Sequence, residues 1–203
     1  MEPLFICPPA AALTEIPNQD CAEVFGQIQR FFFQRKQATP SFTSTTIKVA
    51  ATWTPLLAAS GDTKMVATPL IPNVVIPAGE ILTEGGNDNT TLNGIPRLLG
   101  RGFAGVTMQL PNADKEVRSA IRKLANESKG FTNLWMYMVN AFGQVIANAD
   151  SSGIDVYNVM VGDPGTEGFN RDNIANMRFD LAPGWADNVI LHTPTAPFNP
   201  LNL

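Results

Sequence analysis

The sequence predicts a mainly β fold, a β-sandwich or small barrel, carrying one main α-helix (about 112–129) packed on the sheet. Three observations predict it. Leu134, Met136 and Met138 alternate with Trp135, Tyr137 and Val139, so both faces of that run are apolar, as in a strand buried on two sides. Strand-like runs elsewhere are short and bounded by Pro, Gly and Asn turn signals. One stretch has helical period: Ala113, Val117, Ala120, Ile121 and Leu124 line one face, and Lys115, Glu116, Arg118, Arg122 and Lys123 the other. Asn112 is the predicted N-cap, and Lys129-Gly130 supplies a cation and a left-handed residue to end the helix.

In chain order, residues 1–22 contain Pro3, Pro8, Pro9 and Pro17 and read as an extended N-terminal arm. Phe25 to Phe33 alternate in a pattern that favours a strand over the competing helix. Residues 40–96 form a Pro/Thr-rich insertion or long loop with six charges, Lys48, Asp62, Lys64, Glu80, Glu84 and Asp88. Strand-like runs fall there at 45–53, 64–69 and 73–76. The apolar but proline-broken run 70–77 cannot be an ordinary central strand: it plugs its own core or inserts into a neighbour. Gly85 to Thr91 reads as a flexible polar loop, and the glycines of 94–105 predict a bent or bulged strand over 95–110. After the helix come the buried strand, a hairpin turn at 140–143, a return to Ala147, and strands at 154–161, 176–181 and 189–192. Residues 193–203 are a proline-rich C-terminal arm. No repeat or low-complexity tract divides the 203 residues, which read as one structural domain.

Charged residues make up 16% of the chain, against about 25% in a typical soluble protein. Such a charge-poor surface suits one covered by other copies. The net charge of −4 argues against a surface that binds nucleic acid by neutralising phosphates. The local clusters Arg30, Arg35, Lys36 and Arg118, Arg122, Lys123 lack interleaved aromatics and read as solvated faces or salt-bridge partners. Cys7 and Cys21 read as free thiols in a reducing cytoplasm more readily than as a disulfide, because the N-terminus lacks a secretory pattern. No apolar run has the length of a membrane span, so no membrane partner is expected.

The residues that carry chemistry do not form a recognisable constellation. His192 is the sole histidine and reads as structural or exposed. No phosphate-loop or nucleophile-elbow motif occurs. Asp155, Asp163 and Glu167 could supply a sugar-cleaving pair, and Asp150, Asp155 and Asp163 lack the spacing of a calcium loop. Trp53, Trp135 and Trp185 read as buried or interface anchors before sugar platforms. No catalytic, cofactor-binding or metal-binding residue is therefore assigned, and the chain is read as non-enzymatic.

The segments GGNDNTTLNGIP, NLWMYMVNAFGQVI and GWADNVILHTPTAPFNPL resemble virion structural proteins of tailed bacteriophages of the Bacteroides group. A strand, a helix laid on the sheet and a hairpin, after a long loop, resemble tail-tube proteins in particular. That resemblance implies a homo-oligomer of stacked rings, hexameric in such tubes, built by sheet extension with loop and arm contacts to other virion proteins. An acidic lumen would touch DNA passively, without sequence recognition. The expected location is the virion, after synthesis and assembly in the host cytoplasm. The proline-rich 69–77 block departs from the plain long hairpin of tubes, which keeps a head decoration or head–tail connector protein as the alternative. A β-sandwich carbohydrate-binding module or glycosidase is the alternative from another class. Trp53, Leu70, Ile71, Val74, Val75, Ile76 and Phe198 are the predicted subunit-interface residues.

Overall fold

The structure, a computed structural model, describes residues 25–86, 92–129, 133–166, 168 and 172–203. The expected N-terminal arm with Cys7 and Cys21, Gly130, Glu167 and positions 87–91 of the polar loop lie outside the described residues. The fold is mainly β, with nine strands in one antiparallel sheet and two in a separate ribbon.

Its centre is the strand with two apolar faces. Strand β1 (Ile28–Arg35) pairs with β7 (Leu134–Asn140) along nearly the full length of both. Every residue of β7 is buried. The other edge of β7 is shared: Met138 and Val139 pair with β8 (Val145–Asn148), and Trp135 and Met136 with β9 (Ile154–Val161). Gly143, at φ 76°, makes the turn into β8. Gly153 permits the second pairing, since a Cβ there would sit 2.5 Å from that of Trp135. From β9 the sheet continues through β10 (Ile174–Leu181) and β6 (Ala104–Pro111) to β3 (Asn73–Val75). The short β2 (Met65–Ala67) lies on β1, and β11 (Val189–His192) lies on β8. Past β2, the Thr68 and Ile71 amides donate to Phe31 and Gln29 carbonyls at 2.9 and 2.8 Å. The chain then enters β3, so the path β1-β7-β9-β10-β6-β3 curls back towards a barrel.

The two faces of β7 serve two cores. Met136 and Met138 point into the barrel with Phe31, Phe33, Val106 and Phe179, where Phe31 meets Phe179 edge to face at 5.3 Å. Tyr137 and Val139 point outward with Phe32 and Val145, beneath Phe42, Ile47 and Trp53. The cover is helix α1 (Ala50–Ala58), preceded by a 3₁₀ turn at Thr46–Lys48. This corrects the predicted strand at 45–53. Ala-Ala-Thr-Trp-Thr-Pro-Leu-Leu-Ala has helix formers on both sides of Pro55, and burying Trp53 outweighs the amide that Pro55 lacks.

Helix α2 (Lys115–Ser128) is the predicted helix, shorter by three residues at its start. Asp114, not Asn112, caps it, accepting from the Val117 amide at 2.7 Å. Asn112 takes φ 50° in the turn out of β6 and cannot serve as the cap from there. Ile121 is buried in the barrel core, and Val117 and Leu124 pack against it. The Ser128 hydroxyl accepts from the Val159 amide at 3.0 Å, fixing the helix end to β9.

The 40–96 block, read as an insertion, contributes α1, β2 and β3 to the body because Phe42, Ile47, Trp53, Met65 and Ile71 need burial. The C-terminal stretch lies on its own chain. The Thr195 amide donates to Lys48 O at 2.9 Å, Phe198 sits 6.4 Å from Trp53, and Arg30 donates to the Leu201 and Leu203 carbonyls at 2.8 and 2.9 Å.

His192 faces the outer core and is buried, with no described partner for Nε2. Burial first, and Lys48 second, push its pKa below the ordinary value, against the opposing influence of the Asn148 backbone. The folded chain thus binds the proton more weakly than the unfolded one. Stability is complete above the unfolded pKa of about 6.5 and falls as pH drops through the folded value. Thermal melts at pH 7.5 and 5.5 are expected to show a smaller acid-induced loss for His192→Gln than for the parent.

Candidate assembly surface

Between β3 and β6 the chain leaves the body as a two-stranded ribbon, β4 (Ile81–Glu84) and β5 (Arg97–Arg101). The predicted bent strand over 95–110 is in fact β5 and β6, broken at Gly102. The Gly102 amide donates to Glu80 O at 2.8 Å and closes the ribbon's base. Gly85 and Gly86, at φ 70° and 122°, take backbone angles that L side chains rarely adopt at the distal end of β4. At the base Arg101 pairs with Asp187 at 2.7 Å, and Phe103 meets Tyr157 edge to face at 5.6 Å.

The ribbon's strands pack chiefly on each other, yet they are rich in apolar side chains. The register pairs Thr83 with Leu98 and places a bulge after Leu82, so Ile81, Thr83 and Leu98 share one face. Ile81 is 69% exposed and Leu98 68%, with Ile95, Leu99 and Phe103 all above half. A lone hairpin is marginally stable in water, and a monomer rarely displays apolar side chains so closely grouped. The ribbon's outer edges, with β2 and β11 at the ends of the sheet, offer backbone groups for strand addition.

The seven predicted interface residues divide by burial. Trp53 and Ile71 have no exposed surface that a neighbour could cover in this fold: Trp53 is wedged between Phe32 and Phe42, and its indole N–H donates to Ile47 O at 2.8 Å. Val74 and Ile76 pack partly on the barrel core, and Phe198 on the outer one. Leu70 and Val75 are exposed, Val75 at the end of β3. Sequence reasoning did not single out Ile81, Leu82, Ile95, Leu98 and Leu99, the apolar residues that the ribbon and its approach leave exposed. The available signal was weak: the runs ILTE and RLLGR are each flanked by glycine, but the twelve residues between them exceed the roughly two to five of a usual hairpin loop.

The polar candidates are engaged within the chain. Asp155 pairs with Lys36 at 3.0 Å and Asp163 with Arg122 at 2.6 Å. They stand at opposite ends of β9, roughly 26 Å apart by strand rise. Asp150 accepts from the Ser152 amide and hydroxyl at 2.9 and 2.6 Å, which holds its carboxyl below the usual range. A cleft of about 480 Å³ brings Trp135, Trp185, Asp150 and Asp155 together, but Trp135 is buried and Trp185 lies against Phe25 at 5.9 Å. Arg35 bridges Asp62 and Glu127 at 2.5 Å each. No described helix is long and apolar enough to cross a membrane.

Compared with models of known protein families the chain matches none, and a comparison with curated proteins finds no significant match.

Proposed function

We propose that this chain is a structural building block that assembles with copies of itself, and that it serves as a virion tail-tube subunit or a close relative of one. The observation that carries the assembly reading is the β4–β5 ribbon, with Ile81, Ile95, Leu98 and Leu99 displayed to solvent on an element with little support from its own body. The low charge content and the edges of β2 and β11, which pair with no further strand among the described residues, support it, because both suit a surface that continues into neighbours. The step from assembly to a phage tail rests on the resemblance of 85–96, 133–146 and 184–201 to virion proteins, and on a β body that carries one main helix, α2, besides the short α1, and a hairpin ribbon. In this role the body is a rigid spacer, and the ribbon and sheet edges are the adhesive parts.

Negative-stain microscopy of the purified protein tests this reading. Rings or stacked tubes are expected. Particles no larger than single subunits, over a wide concentration range, would overturn it.

A further inference from the structure

We propose that the cleft at the rim of the barrel, between the β8–β9 turn and the β10–β11 loop, binds a neutral saccharide. None of the ribbon's residues lines this cleft, so the site goes beyond the assembly reading and does not depend on it.

Three segments meet there because neighbouring strands end together. β1 runs into residues 36–40, β8 turns into β9 through 149–153, and β10 leads to β11 through 182–188. They enclose an open space of about 480 Å³, within the range of small-molecule sites, roughly 300–1,000 Å³, for which the mouth of a barrel is a usual place. The β8–β9 turn has an uncommon shape: Ser151 takes φ 65°, and its hydroxyl is buried with no partner among the described residues. That shape leaves Asp150 exposed at the cleft while Ser152, beside it, is buried.

The lining selects the ligand. Asp150 accepts from the Ser152 amide and hydroxyl on Oδ1 alone, so Oδ2 is open to a ligand hydroxyl. Asp155 holds Lys36 Nζ at 3.0 Å with both its oxygens, which leaves the ammonium a further N–H to donate. The exposed Asn188 side chain adds a donor and an acceptor. Hydroxyl groups, which both give and take hydrogen bonds, satisfy such a mixed lining. Trp185 supplies apolar surface: it lines the cleft, is partly exposed, and is braced by Phe25 at 5.9 Å. A sugar ring has a C–H face for that surface and hydroxyls for the polar groups. Two carboxylates against one ammonium repel phosphates and acidic sugars. Among the described residues no three His, Cys, Asp or Glu side chains cluster to hold a metal ion, so a sugar suits the cleft better than a cation. The outcome is binding and not cleavage. Ser152 holds the Asp150 carboxyl below the usual range, so it has no proton for a leaving group at neutral pH, and Asp155 is tied to Lys36.

Saturation-transfer difference NMR on the full chain tests the site and tolerates large assemblies. The probes are maltose, cellobiose, lactose and N,N′-diacetylchitobiose, with glucuronate as the acidic control. At least one of these disaccharides is expected to bind with a dissociation constant on the order of 1 mM, and glucuronate is expected to show no transfer. Asp150→Ala and Asn188→Ala, both at exposed positions, are each expected to weaken that binding about tenfold, with unchanged circular dichroism verifying the fold. The Ile81→Lys, Leu98→Lys variant, altered only on the ribbon, is expected to bind as the parent does. No transfer to any of the disaccharides, or binding that survives both cleft substitutions, would overturn the proposal. Equal binding of glucuronate would overturn it too, because the lining repels a carboxylate. None of these results bears on assembly, which sedimentation reads separately.

Discussion

Ile81→Lys combined with Leu98→Lys is expected to turn the assembled protein into monomers without lowering its melting temperature. Both side chains are more than two-thirds exposed within the chain, so neither supports its own fold. In an assembled state they are the natural centre of the contact, apolar and rimmed by Glu84, Arg97 and Arg101 on the same ribbon. Losing one such anchor typically costs about 2 kcal/mol or more, roughly a thirtyfold loss of affinity. A lysine at each position adds the cost of burying an ammonium without a partner. Sedimentation velocity and a thermal melt on the same sample check the two halves of the expectation. Monomers that melt like the parent support it. A collapse in melting temperature would mean that the ribbon stabilises the body, and unchanged oligomers would mean that the ribbon is not the contact.

Trp53→Ala is expected to have the largest effect on stability, for the opposite reason. Its indole fills the space between Phe32, Phe42, Tyr137 and Phe198, at centroid distances of 4.9, 4.6, 5.9 and 6.4 Å. Truncation leaves a large cavity in the outer core and removes the donor from the Ile47 carbonyl. Aromatic-to-alanine changes in cores cost about 3–5 kcal/mol. For a chain of this size that corresponds to a melting temperature lower by roughly 10 °C. α1 and the C-terminal stretch should loosen together, since both pack on Trp53, and hydrogen exchange at residues 46–58 and 195–203 would register it. An interface role for Trp53 alone would leave the isolated subunit's melt unchanged.

The parts of the fold that were legible in the sequence are those where one physical demand acts alone. β7 was readable because a strand covered on both sides must be apolar at consecutive positions, and 134–139 are. β9 and β11 agree with the predicted 154–161 and 189–192 because turn residues bound them on both sides. The apolar stripe on α2 was readable from its period, while its start was not: Asn112 and Asp114 both qualify as caps, and the turn that β6 requires decides between them. Residues 45–53 were misread because Ile47, in the 3₁₀ turn, and Trp53, in α1, are both buried in the outer core for a reason unrelated to a strand. The interface residues were sought in the most apolar stretch, 70–77, with Trp53 and Phe198 from outside it. Apolar content alone does not distinguish a residue that fills its own core, such as Ile71, from one left outside, such as Leu98. That distinction depends on β3 joining the barrel edge while the next two strands leave it, which is a tertiary fact.

The central claim is that this chain associates with itself through the β4–β5 ribbon. Sedimentation velocity of the parent protein and of the Ile81→Lys, Leu98→Lys variant, over a hundredfold range of concentration, tests it most directly. The account predicts that the parent shifts to larger species as concentration rises while the variant stays at one subunit's mass. A parent that remains a single subunit across the whole range would contradict it.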